Sequence, residues 1–241
     1  KPTKGEILID NKNLYNYKES NFLPSWRKAI SHVPQIIYLN DSTEDRLESV
    51  SVIEAGKYIT DIGEGTGLTA GVTDSNGQIH MTYVNSNSPF GLYYVKNSGS
   101  LLTTERIVDE IASDPSIAVD SNNLPHISYS TSGCNCVKYA HHNGSGWEFT
   151  TIYELSGDPV FQNTYSTSIE LDSENNPMIV FSGVTYIQSP SSYIYKLYFS
   201  SFNGTNWTVD ELAQSSQGIG YSLDFELNNT GIPYISYYDP S

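Results

Sequence analysis

The sequence predicts an all-β fold: a partial β-propeller of about three and a half four-stranded blades, preceded by a short α/β fragment. Two observations carry this expectation. The first is a recurrence. VDSNNLPHISY at Val119–Tyr129 returns as TDSNGQIHMTY around Asp74, LDSENNPMIVF around Asp172 and LNNTGIPYISY from Leu227. Each copy is a hydrophobic strand end, a polar Asp/Asn/Gly turn and an alternating strand. The anchors Asp74, Asp120, Asp172 and Asn228 stand 46, 52 and 56 residues apart, and β-type units recurring every ~40–50 residues are the mark of propeller blades. The second is composition: the 19 tyrosines suit half-buried strands, which need an apolar body and a polar tip.

Charge narrows the partners. A formal net charge of −15 over 241 residues argues against nucleic acid, whose phosphates call for clustered Lys and Arg, and against an anionic membrane surface. No apolar run reaches the roughly 18–20 residues of a spanning helix, so no membrane insertion is expected. No signal peptide is visible, and the start at Lys1, in what reads as mid-domain, points to a fragment. The charge is also uneven. Residues 1–44 carry six Lys/Arg against five acids, and residues 45–241 carry six against 22. The texture changes at the same place, so a junction of two unrelated segments is expected near Ser42–Asp45.

In the first segment, KPTKGEILID is a turn and a short alternating strand, closed by Asp10–Asn11. SWRKAI within Ser20–Ile30 is a short helical turn, with Pro24 acceptable near its start. ISHVPQ at Ile30–Gln35 is a strand entering a loop. The text PTKGEILID, LPSWRKAISHVPQ and IYLNDST resembles the nucleotide-binding domain of ABC transporter ATPases. That resemblance implies a Q-loop role for Gln35, sensing the nucleotide's metal ion and attacking water. The departures are large: there is no GxxxxGK(S/T) loop, no apolar strand ending in Asp–Glu, and Asp158–Pro159 follows Leu155–Ser156–Gly157 where the family signature continues Gly–Gln. ATPase competence is therefore not expected, and Gln35 reads as an ordinary polar loop residue.

In the second segment the blades fall at about 66–112, 113–160 and 164–213, with a half blade at 219–241. The stretch 48–62 is transitional, one or two strands. The first blade reads as Leu68–Val72, Ile79–Val84, Leu92–Val95 and Leu102–Val108. The second reads as Pro115–Val119, Pro125–Ser130, Val137–His141 and Trp147–Ile152, with Ile127 and Tyr129 on one face and His126 and Ser128 on the other. The third reads as Ser168–Leu171, Met178–Ser182, Lys196–Ser200 and Trp207–Leu212, and the half blade as Tyr221–Leu227 and Pro233–Tyr237. The words SIAVDSNNLPHISY, VKYAHHNGSGW and LYYVKNSGS resemble a sialidase-like, Asp-box-like propeller repeat of bacterial and archaeal surface proteins. This resemblance implies a scaffold or binding surface. The strict SxDxGxTW box is absent; the looser NGSGW ending at Trp147 and NGTNW ending at Trp207 stand in its place.

Sialidase chemistry needs an arginine cluster to hold a carboxylate bidentately, and residues 45–241 contain only Arg46 and Arg106. A two-carboxylate hydrolase remains open, without a pair to single out. The turn aspartates Asp74, Asp120 and Asp172 are weak calcium candidates, although Asp and Asn in such turns normally bond their own backbone two residues on. Cys134 and Cys136, near His126, His141 and His142, do not supply a four-ligand zinc set. A disulfide between them would close a very short ring, so they read as incidental hairpin cysteines that leave the redox compartment open. His141–His142 reads as a solvated strand end. Trp147 and Trp207 recur with the repeat and are expected to pack, one knob per blade.

The ligand-binding candidates are Phe90, Tyr186 and Tyr193, in irregular loops between second and third strands. The expectation is a recognition or structural module of a larger exported or surface protein, not an enzyme, without a cofactor, binding glycan or protein. A sialidase-like glycoside hydrolase and a fragment of an ABC transporter subunit are the alternatives; the N-terminal piece resembles a cytoplasmic domain. An open flank between first and last copies would favour self-association.

Overall fold

The computed structural model describes residues 8–9, 12–13, 38–42, 46–54, 57–61, 69–98, 101–131, 133–154, 162–188, 191–220 and 223–239. The chain divides into two compact units, Lys1–Glu64 and Gly65–Ser241. In the first, β1 (Leu8–Ile9) and β2 (Lys12–Asn13) pair antiparallel, and β3 (Tyr38–Ser42), β4 (Arg46–Glu54) and β5 (Lys57–Asp61) form a three-stranded antiparallel sheet. The expected helical turn within 20–30 and the strand at 30–35 lie outside the described residues. Among the described residues of the whole chain there is no helix, hence none long and apolar enough to cross a membrane.

The second unit is built of antiparallel sheets whose strands follow one another in chain order. Sheet 1 holds β6 (Thr69–Thr73), β7 (Ile79–Asn85), β8 (Gly91–Ser98) and β9 (Leu101–Val108). Sheet 2 holds β10 (Ala112–Val119), β11 (Pro125–Thr131), β12 (Cys136–His142) and β13 (Trp147–Glu154). Sheet 3 holds β14 (Gln162–Leu171), β15 (Pro177–Gln188), β16 (Ser191–Phe202) and β17 (Trp207–Ser215), and β18 (Leu223–Leu227) pairs with β19 (Pro233–Tyr237). β19 and its flanks carry the exposed Ile232, Tyr234, Tyr237 and Tyr238.

The same turn joins the first two strands of every sheet of this second unit, and one side-chain oxygen organises it. Asp74 Oδ1 accepts from the N–H groups of Asn76 (2.9 Å) and Gln78 (2.8 Å). Asp120 Oδ1 does so from Asn122 and Leu124, Asp172 Oδ1 from Glu174 and Asn176, and Asn228 Oδ1 from Thr230 and Ile232. The backbone of the same residue closes the hairpin: Asp120 N donates to Leu124 O at 3.0 Å, and Asn123 N donates to Asp120 O at 2.9 Å. The residue three places after each anchor takes positive φ, 76° at Gly77, 62° at Asn123, 65° at Asn175 and 76° at Gly231. Gly, or an Asn that tolerates the left-handed region, is what this geometry admits. These aspartates are thus committed to backbone donors, and the turn role expected for them holds.

The turns also touch one another. Asn123 Oδ1 accepts from Ser75 N (3.1 Å) and Ser75 Oγ (2.8 Å), and Asn175 Oδ1 accepts from Ser121 N at 3.0 Å while its amide donates to Ser121 Oγ at 2.9 Å. Deeper in, Ile169 N donates to Ser116 Oγ (3.2 Å) and Thr167 Oγ1 to Asp114 O (2.7 Å). Sheets 1 and 2 are thus pinned at the turn, sheets 2 and 3 at the turn and on the first strand, and sheet 3 meets the chain before β18 through Ser182 Oγ, which donates to Gly220 O at 2.8 Å.

Between the pins lie apolar cores. Val84, Leu92, Ile117, Ile127 and Ala140 fill the space between sheets 1 and 2. Ala118, Val137, Ile169, Ile179 and Phe181 fill that between sheets 2 and 3. Val180, Leu197, Ile219 and Phe225 fill that between sheet 3 and the β18–β19 pair. Full burial of such side chains contributes about 1.5–3 kcal/mol each. At the last core the chain passes so close that Gly220, at φ 79°, leaves a Cβ no room: it would stand 2.7 Å from Ser182 Cβ. Trp147 packs edge-on against Tyr94 of the preceding sheet (5.1 Å), and Trp207 does the same to Tyr139 (5.3 Å). The packing role expected for both tryptophans is met.

Because Asn228 performs the turn role without a charge, Asp172→Asn keeps both backbone bonds and gives up only the one that Oδ2 accepts from the Asn176 side-chain amide, an expected cost of about 0.5–1.5 kcal/mol. Asp172→Ala, which strands two N–H donors, is expected to cost about 1–3 kcal/mol. Urea unfolding of the two variants checks this; equal losses would remove the turn oxygen from its role.

Candidate functional site

Strand alternation puts His80 and His126 on one face of their second strands, and the third strand sets a tyrosine against each. Tyr94 Oη donates to His80 Nδ1 at 2.7 Å, and His80 Nε2 donates to Asp74 Oδ2 at 3.2 Å, the tautomer that satisfies both partners. Tyr139 hydrogen-bonds His126 Nδ1 in the same way. At the matching place in sheet 3 stand Met178 and Phe199, an apolar pair. Burial pushes His126 down to about 4 and lowers His80 as well, so both rings are neutral near pH 7. Burial alone would raise Asp74; the Gln78 and Asn76 N–H groups and His80 outweigh it and hold the carboxyl below its usual range. With their hydrogen bonds made inside the repeat and the tyrosine rings covered by Trp147 and Trp207 of the next sheet, these groups are packing elements. His141, expected as a solvated strand end, is instead half-buried and stacked on Tyr139 at 5.4 Å and His126 at 5.6 Å.

Two carboxyls are displaced upward. Asp114, at φ 48° in a β10 bulge, is pushed up to about 6 by burial, against a hydrogen bond from Ser113. Glu170 on β14 is pushed up to about 7 by burial and by Glu226 and Asp224. Among the described residues no three His, Cys, Asp or Glu side chains gather as a metal site.

The ligand candidates divide. Tyr186 and Tyr193 are brought together, but not in a loop as expected. β15 and β16 continue past the ends of their counterparts, pairing from Val184–Tyr195 to Gln188–Ser191. Tyr186 and Tyr193 face each other across this arm with rings 5.0 Å apart, Tyr195 lies 6.1 Å from Tyr193, and Tyr186 Oη bonds Ser191 Oγ at 2.8 Å. Alternating Ser, Tyr and Ile kept the strands going where a loop was expected. Phe90 belongs elsewhere, beneath the Arg106 guanidinium at 5.7 Å and beside the cis Ser88–Pro89 bond. Gln35 lies outside the described residues.

The cysteines also require correction. Cys134 and Cys136 form a disulfide. Asn135 between them takes φ 52° in the hairpin turn, which brings the two Cα atoms to 5.2 Å, within reach of a bridge.

Sequence reasoning missed a cleft of about 240 Å³ between sheets 1 and 2. Val108 and Glu110 form one side, and Tyr129, Lys138, Phe149 and Thr151 the other. Lys138 Nζ donates to Glu110 Oε1 at 2.6 Å. Tyr129 is nearly fully buried, and burial together with the Glu110 charge raises its phenol, which stays neutral. Phe149 is half exposed. The register explains the opening. Val108 pairs with Leu92 at the bulge where Tyr153 pairs with Val137 in sheet 2. Tyr153 fills the next groove, lying 5.4 Å from Phe181 and 4.8 Å from Tyr198. Tyr129 and Lys138, paired with each other, hold in sheet 2 the places that Phe181 and Tyr198 hold in sheet 3. One groove is closed by three aromatics; the other has Val108 and stays open.

No family model matches the chain, and the comparison with curated proteins finds no match. Solved structures do match. One is an ulvan lyase of a new polysaccharide lyase family: TM-score 0.52, 13% identity, 74% of this chain and 52% of that one. Another is a protein of unknown function from Dyadobacter fermentans: 0.50, 12%, 72% and 62%. A third is an endo-arabinase from Bacteroides thetaiotaomicron: 0.49, 12%, 85% and 84%. This chain spans about half the length of the lyase. At such identities the likeness concerns the fold alone. It nonetheless corrects the expectation that the chain is not an enzyme, since a polysaccharide lyase stands among the structures sharing its fold. Missing nucleotide motifs and a missing arginine cluster exclude two chemistries, whereas a fold excludes none. None of these three is an ABC ATPase.

Replacing His126 and Tyr139 together by Met and Phe copies the pair of sheet 3. The His126 pKa is depressed in the folded state, so its contribution is complete above about pH 6.5 and lost as pH falls toward about 4. The double variant is expected to lose about 3 kcal/mol less than the native chain over that interval. Denaturant unfolding at pH 4 and pH 7 checks it; parallel pH profiles would contradict it.

Proposed function

We propose that the unit from Gly65 onward is part of a β-propeller, three blades and half of another, that recognises a glycan at the end carrying the connections between second and third strands. The observation that carries this is the arm of sheet 3. Tyr186 and Tyr193 belong to none of the apolar cores described above, and Tyr193 is 50% exposed. Aromatic faces held in water with phenols at their edges offer stacking to sugar rings and hydrogen bonds to their hydroxyls. The propeller reading is supported by chain-order sheets stacked face to face, each bonded to the next. The glycan reading gains support from the ulvan lyase that shares the fold. An extracellular or cell-surface location is supported by the Cys134–Cys136 disulfide, since such bonds persist in oxidising compartments.

Glu170 favours a second reading, a glycan-cleaving enzyme. A carboxyl held up to about 7 beside Glu226 and Asp224 keeps its proton in a sizeable share of molecules near neutrality, as a general acid in glycoside hydrolysis needs. No ATP-linked role is proposed for residues 1–44.

A panel of bacterial, plant and algal polysaccharides, read for both retention and release of reducing ends, tests these readings. Native protein is expected to retain at least one glycan, with Tyr193→Ala binding about tenfold more weakly (~1.4 kcal/mol). Products that vanish in Glu170→Gln would favour the second reading. Neither retention nor products across the panel would overturn both.

A further inference from the structure

We infer that the cleft between sheets 1 and 2 is a binding site for a single neutral sugar ring. This rests on the glycan reading above and adds to it a second place, of different chemistry from the tyrosine arm.

The cleft follows from one position of this groove. Three successive outer strands offer Val108, Tyr153 and Ala213 at the same register position, opposite Leu92, Val137 and Leu197. Tyr153 closes its groove on Phe181 and Tyr198. Val108 and Tyr129 are buried together in the core between sheets 1 and 2, but Val108 carries no ring to cover Tyr129 and Lys138 as Tyr153 covers Phe181 and Tyr198, and outward of them a cleft remains.

Its chemistry selects the ligand. Phe149, 49% exposed, is an aromatic platform that sequence alternation would otherwise fill with a polar residue on an outer strand. Lys138 and Glu110, already bonded to each other, present further donors and acceptors at the cleft, and Thr151 adds a hydroxyl. A ring with one apolar face and a rim of hydroxyls satisfies both kinds of surface. Size limits it to one ring: about 240 Å³ is below the ~300–1,000 Å³ of sites for drug-sized ligands. Charge excludes an acidic sugar. Among the described lining residues the one cation, Lys138, is neutralised by Glu110, and Asp109 lines the same cleft.

The chain's own solution supplies the test. Val108→Tyr places in this groove the residue that closes the next one. Ligand-observed NMR with methyl glycosides of neutral hexoses, pentoses and deoxyhexoses, and with methyl uronides, is the readout. Native protein and Tyr193→Ala are expected to bind at least one neutral glycoside equally, Val108→Tyr about tenfold more weakly or not at all, and uronides are expected not to bind. Should Val108→Tyr fail to fold, Phe149→Ala, at a half-exposed position, takes its place with the same expected loss. Unchanged binding by the filled variant, or preference for uronides, would overturn the inference. Loss of monosaccharide binding in Tyr193→Ala would assign it to the arm and likewise overturn it. If native protein retains polysaccharides but no glycoside, the cleft inference fails while the glycan reading stands; if it binds neither, both fail.

Discussion

One oxygen atom at the first turn of each repeat holds two backbone N–H groups, and the arrangement of the sheets follows from it. Asp74, Asp120, Asp172 and Asn228 differ in charge yet perform the same task. What the fold requires is therefore an acceptor on a short side chain, not a carboxylate. By fixing where the first strand ends and the second begins, the turn sets the register of that pair. Side-chain direction alternates along a strand, so register decides every residue that faces a neighbouring sheet. His126 and Ser128 turn one way, Ile127 and Tyr129 the other. Each repeat thus offers the next a predetermined surface.

Given such surfaces, stability accrues sheet by sheet, through an apolar core and a few polar pins at each groove. In this kind of quasi-one-dimensional stack one groove can depart from the others while its neighbours keep their own contacts. The protein shows such departures at matched positions. The His–Tyr pairs of sheets 1 and 2 give way to Met178 and Phe199 in sheet 3, with apolar packing replacing hydrogen bonds. The aromatic closure by Tyr153 gives way to Val108 and a cleft. The first exchange conserves packing and the second sacrifices it, and a sacrifice of packing on a well-pinned scaffold is the more informative of the two.

Much of the fold was legible because its determinants are local. The polar turn, the alternating second strand and the Trp knob each lie within a few consecutive residues, and the strands begin and end close to where those signals fall. What escaped depends on pairings far apart in sequence. Strand continuation through Tyr186 and Tyr193 is decided by cross-strand partners, so these residues read as loop. The Cys134–Cys136 bridge needs a left-handed Asn135 that spacing alone does not reveal. The cleft is set by comparing Val108 with Tyr153 through two bulged registers, which a linear reading of four unequal copies does not align. Of the site candidates, Tyr186 and Tyr193 came together and Phe90 stayed with Arg106.

The most direct test of this account is amide hydrogen exchange at the far ends of the four turns. The N–H groups of Gln78, Leu124, Asn176 and Ile232 lie at or near the surface, yet each is bound by its anchor oxygen. All four are expected to exchange as slowly as the strand amides beside them. Exchange as fast as at Gly204, an exposed turn position between the last two strands of sheet 3, would mean that the anchors do not hold the turns, and that the sheets owe their register to something else.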